Sequence, residues 1–175
     1  MRKVLHIDCD CFFAAVEMRE RPELAALPIA IGGRSDHRGV IATCNYPARG
    51  YGVRSAMATA IALQKCPDLV LLPGNMALYK AVSRQIMGIL GDVKGTIAME
   101  QVSIDEAYLE LDPAYSALDI AKAIKQRVQQ EVGVTVSVGA APNKFLAKVA
   151  SDWRKPDGLF AVKPHQVAEF VQQLP

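Results

Sequence analysis

The four cysteines of this chain lack the spacing that starts a zinc site or a disulfide framework. Cys9, Cys11, Cys44 and Cys66 make no C-x-x-C unit, and no run of histidines partners them. Free thiols in a reducing compartment are the expectation. A long apolar run is missing, as are a leader pattern and any low-complexity tract. These absences argue against a helical membrane protein and predict a soluble, cytoplasmic chain with no membrane partner. Charge of one sign is scarce: 20 Lys and Arg against 18 Asp and Glu leave +2. Bulk charge therefore announces no polyanion, and any binding of one must come from local clustering. No internal repeat is visible. With 175 residues, 51% of them hydrophobic, the chain can build one large domain, or a domain with a small subdomain, around an ample core.

What is present is acid at the ends of strands. In Val102–Leu111, Ala107, Leu109 and Leu111 alternate with Glu106, Tyr108 and Glu110, the period of a half-buried strand. Asp105 and Glu106 open that strand behind a turn marked by Ser103. Neighbouring side chains of a regular strand point to opposite faces, so both carboxylates serve one site only at a hairpin bend. A second acidic end closes the apolar run Val4–Asp8. A buried strand ending in bare Asp is costly unless the charge is paired or meets a cation. If the two ends are neighbours, Asp8, Asp105 and Glu106 make an oxygen-rich pocket suited to Mg²⁺, with substrate phosphates completing the shell. The expectation is a two-metal phosphoryl-transfer site. His6 shares the face of Asp8 and reads as a satisfied core or edge histidine.

The remaining elements follow from periodicity. Lys3–Cys9 reads as a strand feeding an amphipathic helix from Cys11, with Phe12, Phe13, Val16 and Met18 apolar. Residues 28–32 and 39–43 read as a hairpin across the loop 33–38, and 45–54 as a stretch of turn formers and basic residues. A short helix over 59–66 and a strand over 69–72 come next. The helix 76–90 carries Leu78, Val82, Ile86 and Leu90, and the helix 116–131 carries Leu118, Ala121, Ile124, Val128 and Val132. Residues 96–101 pair with 106–111, 134–140 alternate as a strand, and Pro142-Asn143 start a helix. A short strand over 158–162 and a helix over 164–173 finish the chain. Residues 1–9 and 74–165 thus make one mixed sheet with two helices on a face, interrupted by an insertion over 10–73. This split β-α-β-β-α-β order predicts an α+β, ferredoxin-like layout that sets strand one beside the acidic hairpin.

Four stretches carry a family resemblance: Asp8–Glu17, Asn45–Arg49, Ser103–Leu109 and Asn143–Asp152. In this order and spacing they resemble the signatures of Y-family DNA polymerases, over essentially the whole chain. The resemblance makes residues 1–9 and 74–165 a catalytic palm and 10–73 the fingers. Residues 166–175 would begin a thumb. Family members continue into that thumb, a little finger and usually a clamp-binding peptide, so this chain would be a truncated core with a weak grip on DNA. A sliding clamp would be reached only through the parts beyond it.

The resemblance also implies roles. Asp8, Asp105 and Glu106, with the Cys9 carbonyl, would hold two Mg²⁺ ions (Mn²⁺ a substitute). Thr43, Tyr46, Arg49 and Lys155 would contact the triphosphate of a deoxynucleotide, where Arg brings a planar fork and Tyr a hydroxyl donor. Phe13 would be the steric gate against a ribose hydroxyl, while Phe12, about 100° away on the helix, would be core. Ile41, Ala42 and residues 56–58 would form an open roof over the nascent pair. Lys144 and Lys148, four apart on one helix face with Arg154 nearby, would touch the phosphates of primer–template DNA. The implied function is template-directed, translesion-type addition of deoxynucleotides to a primer 3′ end, with no proofreading acids elsewhere. Two other readings stand beside it. One is a nucleotidyl cyclase on the same palm, although Val102-Ser103-Ile104 stands where that class usually carries a glycine pair. The other is a non-catalytic DNA-damage-response module, although such relatives tend to lose the acids.

Overall fold

The apolar run that marks strand one in the sequence lies at the middle of a sheet. A computed structural model describes residues 1–175. β1 (Lys3–Cys9) pairs antiparallel with β6 (Glu106–Leu111) on one side and with β7 (Val136–Ala141) on the other. β5 (Thr96–Ser103) flanks β6, and β8 (Leu159–Ala161) joins β7 in parallel, giving the order β5-β6-β1-β7-β8. The first four strands, read from the β7 side, stand fourth, first, third, second in chain order, the ferredoxin-like arrangement. The chain clusters into two compact units, Met1–Asp10 with Ala81–Pro175, and Cys11–Lys80.

In the first unit each face of the sheet takes alternate residues of β1. Leu5 and Ile7, level with Leu109 and Ala107, are sealed on one face with the other buried positions of β6. That face is covered by α4 (Met76–Gly91) and α5 (Ala117–Val132), the two helices expected together. They lie side by side, with Gln85 Nε2 donating to the Glu131 carbonyl at 3.2 Å. Ser116 caps α5 by accepting from the Asp119 amide, and Gly133 ends it at φ 80°, a left-handed turn that glycine adopts without a Cβ penalty. The other face carries Val4, His6 and Asp8, and α6 (Lys144–Asp152) packs over part of it. Contact is close because β7 has glycine there: a Cβ on Gly139 would run into the backbone of Ala147 and Ser151. β7 is buried at all six positions, since helices cover both its faces, so its expected alternation is hidden in a uniformly apolar and small-residue run. The terminal α7 (Val167–Gln172) sends Phe170 against Phe160 and Trp153 in this same unit.

The second unit begins with α1 (Phe12–Glu20) and a 3-10 turn over Pro22–Ala26. Its sheet sets β2 (Ile29–Gly32) antiparallel to β3 (Ile41–Cys44) and parallel to β4 (Val70–Leu72). The expected hairpin is there, with a single 3-10 turn in its loop. The basic stretch read as turns contains a helix, α2 (Tyr46–Gly50), and α3 (Thr59–Lys65) follows. What makes α2 possible is Asn45. Fully buried, it caps the helix through the Ala48 amide at 3.1 Å, accepts the Ile29 amide at 3.0 Å and donates to the Leu27 carbonyl at 2.7 Å. Ala30, Ile41, Cys44, Ala48, Val53 and Ala62 form the core of this unit. No helix is long and apolar enough to cross a membrane, and none of the four cysteines is joined in a disulfide.

Candidate active site

Strand register brings the acids together. Asp8 is level with Glu106 across the β1–β6 pair, so both side chains leave the sheet on the same face. Asp105 sits in the two-residue turn between β5 and β6, outside the alternation, which is the relaxation of the rule that the sequence demanded. Its carbonyl accepts the Cys9 amide at 3.0 Å and pins the turn to the end of β1. Ser103 Oγ bridges the two hairpin acids, 2.9 Å from Asp105 Oδ1 and 3.2 Å from Glu106 Oε2. Ser83 on α4 donates to the Ile104 carbonyl and braces the turn from beneath.

Electrostatics here are those of too many acids in too little water. Burial, reinforced by Asp105 and Glu106 and opposed by Lys155, pushes the Asp8 carboxyl up to about 6. Asp105 is also raised, by burial first and then by Glu106, against its hydrogen bond from Ser103. The ammonium of Lys155 bonds Asp8 Oδ2 and Asp152 Oδ1, the latter at 2.9 Å. Burial lowers its pKa, but these two carboxylates outweigh that and hold it above the usual lysine value. Glu106 Oε1 meets His6 Nε2 at 3.1 Å and Lys148 Nζ at 3.5 Å. The three acids do not close into a ready coordination cluster, because Asp8 and Glu106 are turned to these protein cations and donors. As a donor set they still fit a hard divalent ion: all oxygen, half-buried, and with an acid driven up by burial first and then by its acidic neighbours. Cys9 is buried, which pushes its thiol pKa well up, so only its backbone could serve such an ion.

Asp10, which the sequence reading left without a role, organises the loop behind the site. Its carboxylate accepts Thr135 Oγ1 at 2.7 Å, Ser137 Oγ at 2.7 Å and the Asp157 amide at 2.8 Å. It thereby ties β7 to the segment that carries Lys155. The period-two spacing of Asp8 and Asp10 was its only signal, and that spacing does not separate a ligand from a brace. Lys144 and Lys148 are about half exposed, and each is paired, Lys144 with Glu100 at 3.1 Å and Lys148 with Glu106.

In the second unit, Phe12 is core and Phe13 is not: the Phe13 ring stacks on Tyr79 at 4.4 Å and 12°. Tyr79 is buried and donates to Glu17 Oε1 at 2.8 Å; burial and that bond raise its pKa well above the usual value. The helical stripe through Leu78 pointed past Tyr79, because a tyrosine hydroxyl reads as surface until a buried acceptor is known. Thr43 lies on β3 and Tyr46 opens α2. The Arg49 guanidinium stands 4.6 Å over the Tyr46 ring, its Nε donating to the Cys44 carbonyl at 3.2 Å. Arg49, Val53, Arg54 and Ser55 line a small cleft. Of the residues expected to form a roof, Ala42 is exposed but Ile41 is sealed in the core.

Comparison with known proteins gives a consistent picture. Residues 7–152 match the model of the impB/mucB/samB family. A DNA polymerase IV from Ectopseudomonas mendocina (strain ymp) is 57% identical over 178 residues, covering 99% of this chain and 50% of that protein. One from Ralstonia nicotianae is 53% identical over 179 residues, again with 50% of that protein covered. Among solved structures, DinB from Sulfolobus solfataricus superimposes with a TM-score of 0.90 at 36% identity, over 96% of this chain and 50% of that one. An insertion ternary complex of Dbh DNA polymerase gives 0.91 at 36%, over 98% and 52%. The chain spans about half the length of these relatives.

Proposed function

This chain belongs to the Y family of DNA polymerases, and from that premise we propose that it is the catalytic portion of a translesion-type, template-directed enzyme. It adds deoxynucleotides to a primer 3′ end without proofreading. Residues 1–9 and 74–165 are the palm, residues 10–73 the fingers, and residues 166–175 lead toward a thumb. The observation that carries the reading is the register of Asp8 with Glu106, with Asp105 held at the intervening turn by Ser103.

Asp8, Asp105 and Glu106, with the Cys9 carbonyl, would hold Mg²⁺, for which Mn²⁺ can substitute. Such ions, when bound, supply charge neutralisation for a triphosphate and favour the deprotonated primer hydroxyl. The chain's own residues do the rest. Ser103 keeps the two hairpin acids in one orientation. Lys155, charged over the whole working pH range, balances Asp8 until phosphate oxygens compete for its ammonium. In the other unit Thr43, Tyr46 and Arg49 offer a hydroxyl, a phenol and a planar guanidinium, donors matched to phosphate oxygen. Phe13, backed by Tyr79, is the steric gate. Lys144 and Lys148 contact DNA phosphates once their surface acids are displaced.

Primer extension with Mg²⁺ and four deoxynucleotides at low salt, beside Asp105→Ala, tests this. Extension by the parent chain alone is the expected result. If neither extends, deoxynucleotide binding with Mg²⁺ decides: binding by the parent and not the variant keeps the site, and binding by neither removes the two-metal reading.

A further inference from the structure

His6 lies two residues before Asp8 on the same face of β1 and level with Tyr108, which places it diagonally across from Glu106. It is 1% exposed, yet polar at both ends. Nδ1 is 2.7 Å from Ser151 Oγ on α6 and Nε2 is 3.1 Å from Glu106 Oε1. The Tyr108 ring closes a third side at 4.8 Å, tilted by 54°. An ordinary buried histidine needs partners, and Ser151 supplies one from within the core. The second partner is different in kind: a half-buried carboxylate at the strand end, on a long side chain that would otherwise sample several rotamers.

Proton bookkeeping fixes the sense of the bond to Glu106. A carboxylate oxygen only accepts, so Nε2 carries a proton toward Glu106. Ser151 Oγ lies 2.7 Å from His6 Nδ1 and 2.7 Å from the Lys148 carbonyl, so its one hydroxyl proton has two acceptors while its lone pairs stay open to an Nδ1–H. Ser151 therefore partners Nδ1 in either protonation state, and it is the Glu106 carboxylate that calls for the proton on Nε2.

We propose that His6, anchored against Ser151, is a positioning residue that holds Glu106 in one orientation for the divalent cation. With Ser103 on Oε2 and His6 on Oε1, both oxygens of Glu106 are held from the protein side. The proposal rests on Glu106 being a metal ligand, and it assigns His6 no contact with substrate. Loss of such an outer partner weakens metal binding by roughly 10- to 100-fold.

The test is Mn²⁺ titration of the whole chain, followed by electron paramagnetic resonance, with thermal melting in parallel. A glutamine amide can place an N–H near the position of Nε2, and an asparagine amide near that of Nδ1. His6→Gln should therefore keep most of the Mn²⁺ affinity, while an equally stable His6→Asn loses roughly 10- to 100-fold. Equal affinity in the two folded variants, or better binding by His6→Asn, overturns the proposal. ¹⁵N NMR of His6 in the unsubstituted chain needs no variant to fold: an Nε2–H resonance that shifts in Glu106→Gln is expected, and an Nδ1–H tautomer overturns the proposal. Parent chain that binds no Mn²⁺, or Glu106→Gln that binds as the parent does, removes the metal reading itself, a failure distinct from that of His6.

Discussion

Asp8 turns the crowding of acids into a pH dependence whose sign can be worked out. An unperturbed Asp ionises near 3.8, whereas the folded chain pushes Asp8 up to about 6, by burial first. Between those values the folded chain keeps a proton that the unfolded chain has released, so stability falls as pH rises through that window. Two pH units correspond to on the order of 3 kcal/mol. Urea unfolding from pH 4 to 7 should show the parent losing stability relative to Asp8→Asn across this range, and a difference of the opposite sign would rule the account out. Mg²⁺ at pH 7 should restore the parent, because a bound cation favours the ionised carboxylate. At Phe13, replacement by Val should raise incorporation of ribonucleotides relative to deoxynucleotides by roughly tenfold or more, since one pocket group is worth about 1–3 kcal/mol. Competitive single-nucleotide extension measures it. That Asp8 and Glu106 meet beside the turn carrying Asp105 was legible in sequence because strand and hairpin are local signals. A site there was read from the four-motif resemblance, a lone acidic pair being more often bland. Asp10, Tyr79 and the His6–Glu106 bond were not legible, since each takes its meaning from a partner at least 62 positions away.

Among the elements, α2 shows how one side chain can decide whether a segment folds. Asn45 caps the helix and satisfies the Ile29 amide and the Leu27 carbonyl across the unit. Asn45→Ala removes a cap, at about 0.5–2 kcal/mol, and leaves buried backbone groups unpaired, at about 1–3 kcal/mol. A loss of roughly 2–4 kcal/mol is expected by denaturant unfolding, and a change under 1 kcal/mol would contradict this role. The reading of 45–54 as turns missed α2 because five residues are too few to display a helical period. The strand read over 134–140 is present as β7, but it is buried at every position rather than alternating, because its small residues concealed contact on both faces. β1, β5 and β6 were readable, and with them the ferredoxin-like order, because hydrophobic alternation and the hairpin are local signals. The same local reading gave Leu118 a place in the stripe of α5 where the structure buries Ile120, two positions along.

For the molecule as a whole, the balance of charge bears on the proposed binding of DNA. The basic residues proposed to contact phosphate, Lys144 and Lys148, are already engaged by Glu100 and Glu106. Each phosphate neutralised adds about 0.9 to the salt slope of log affinity. Fluorescence anisotropy of primer–template between 50 and 200 mM salt should therefore give a slope no steeper than about −3, while deoxynucleotide binding with Mg²⁺ changes little. A slope beyond about −6 would mean a basic surface that these pairings do not reveal. The strand β5 adds a different property at this scale. It lies at the rim of the five-stranded sheet, one side of its backbone without a neighbouring strand, and it exposes Ile97, Met99 and Val102. An apolar rim of this kind is a template on which another extended chain can add itself. For such a protein, the hazard in concentrated solution is sticking to its own copies strand by strand, and Glu100 is the one charge set among those apolar side chains to discourage it.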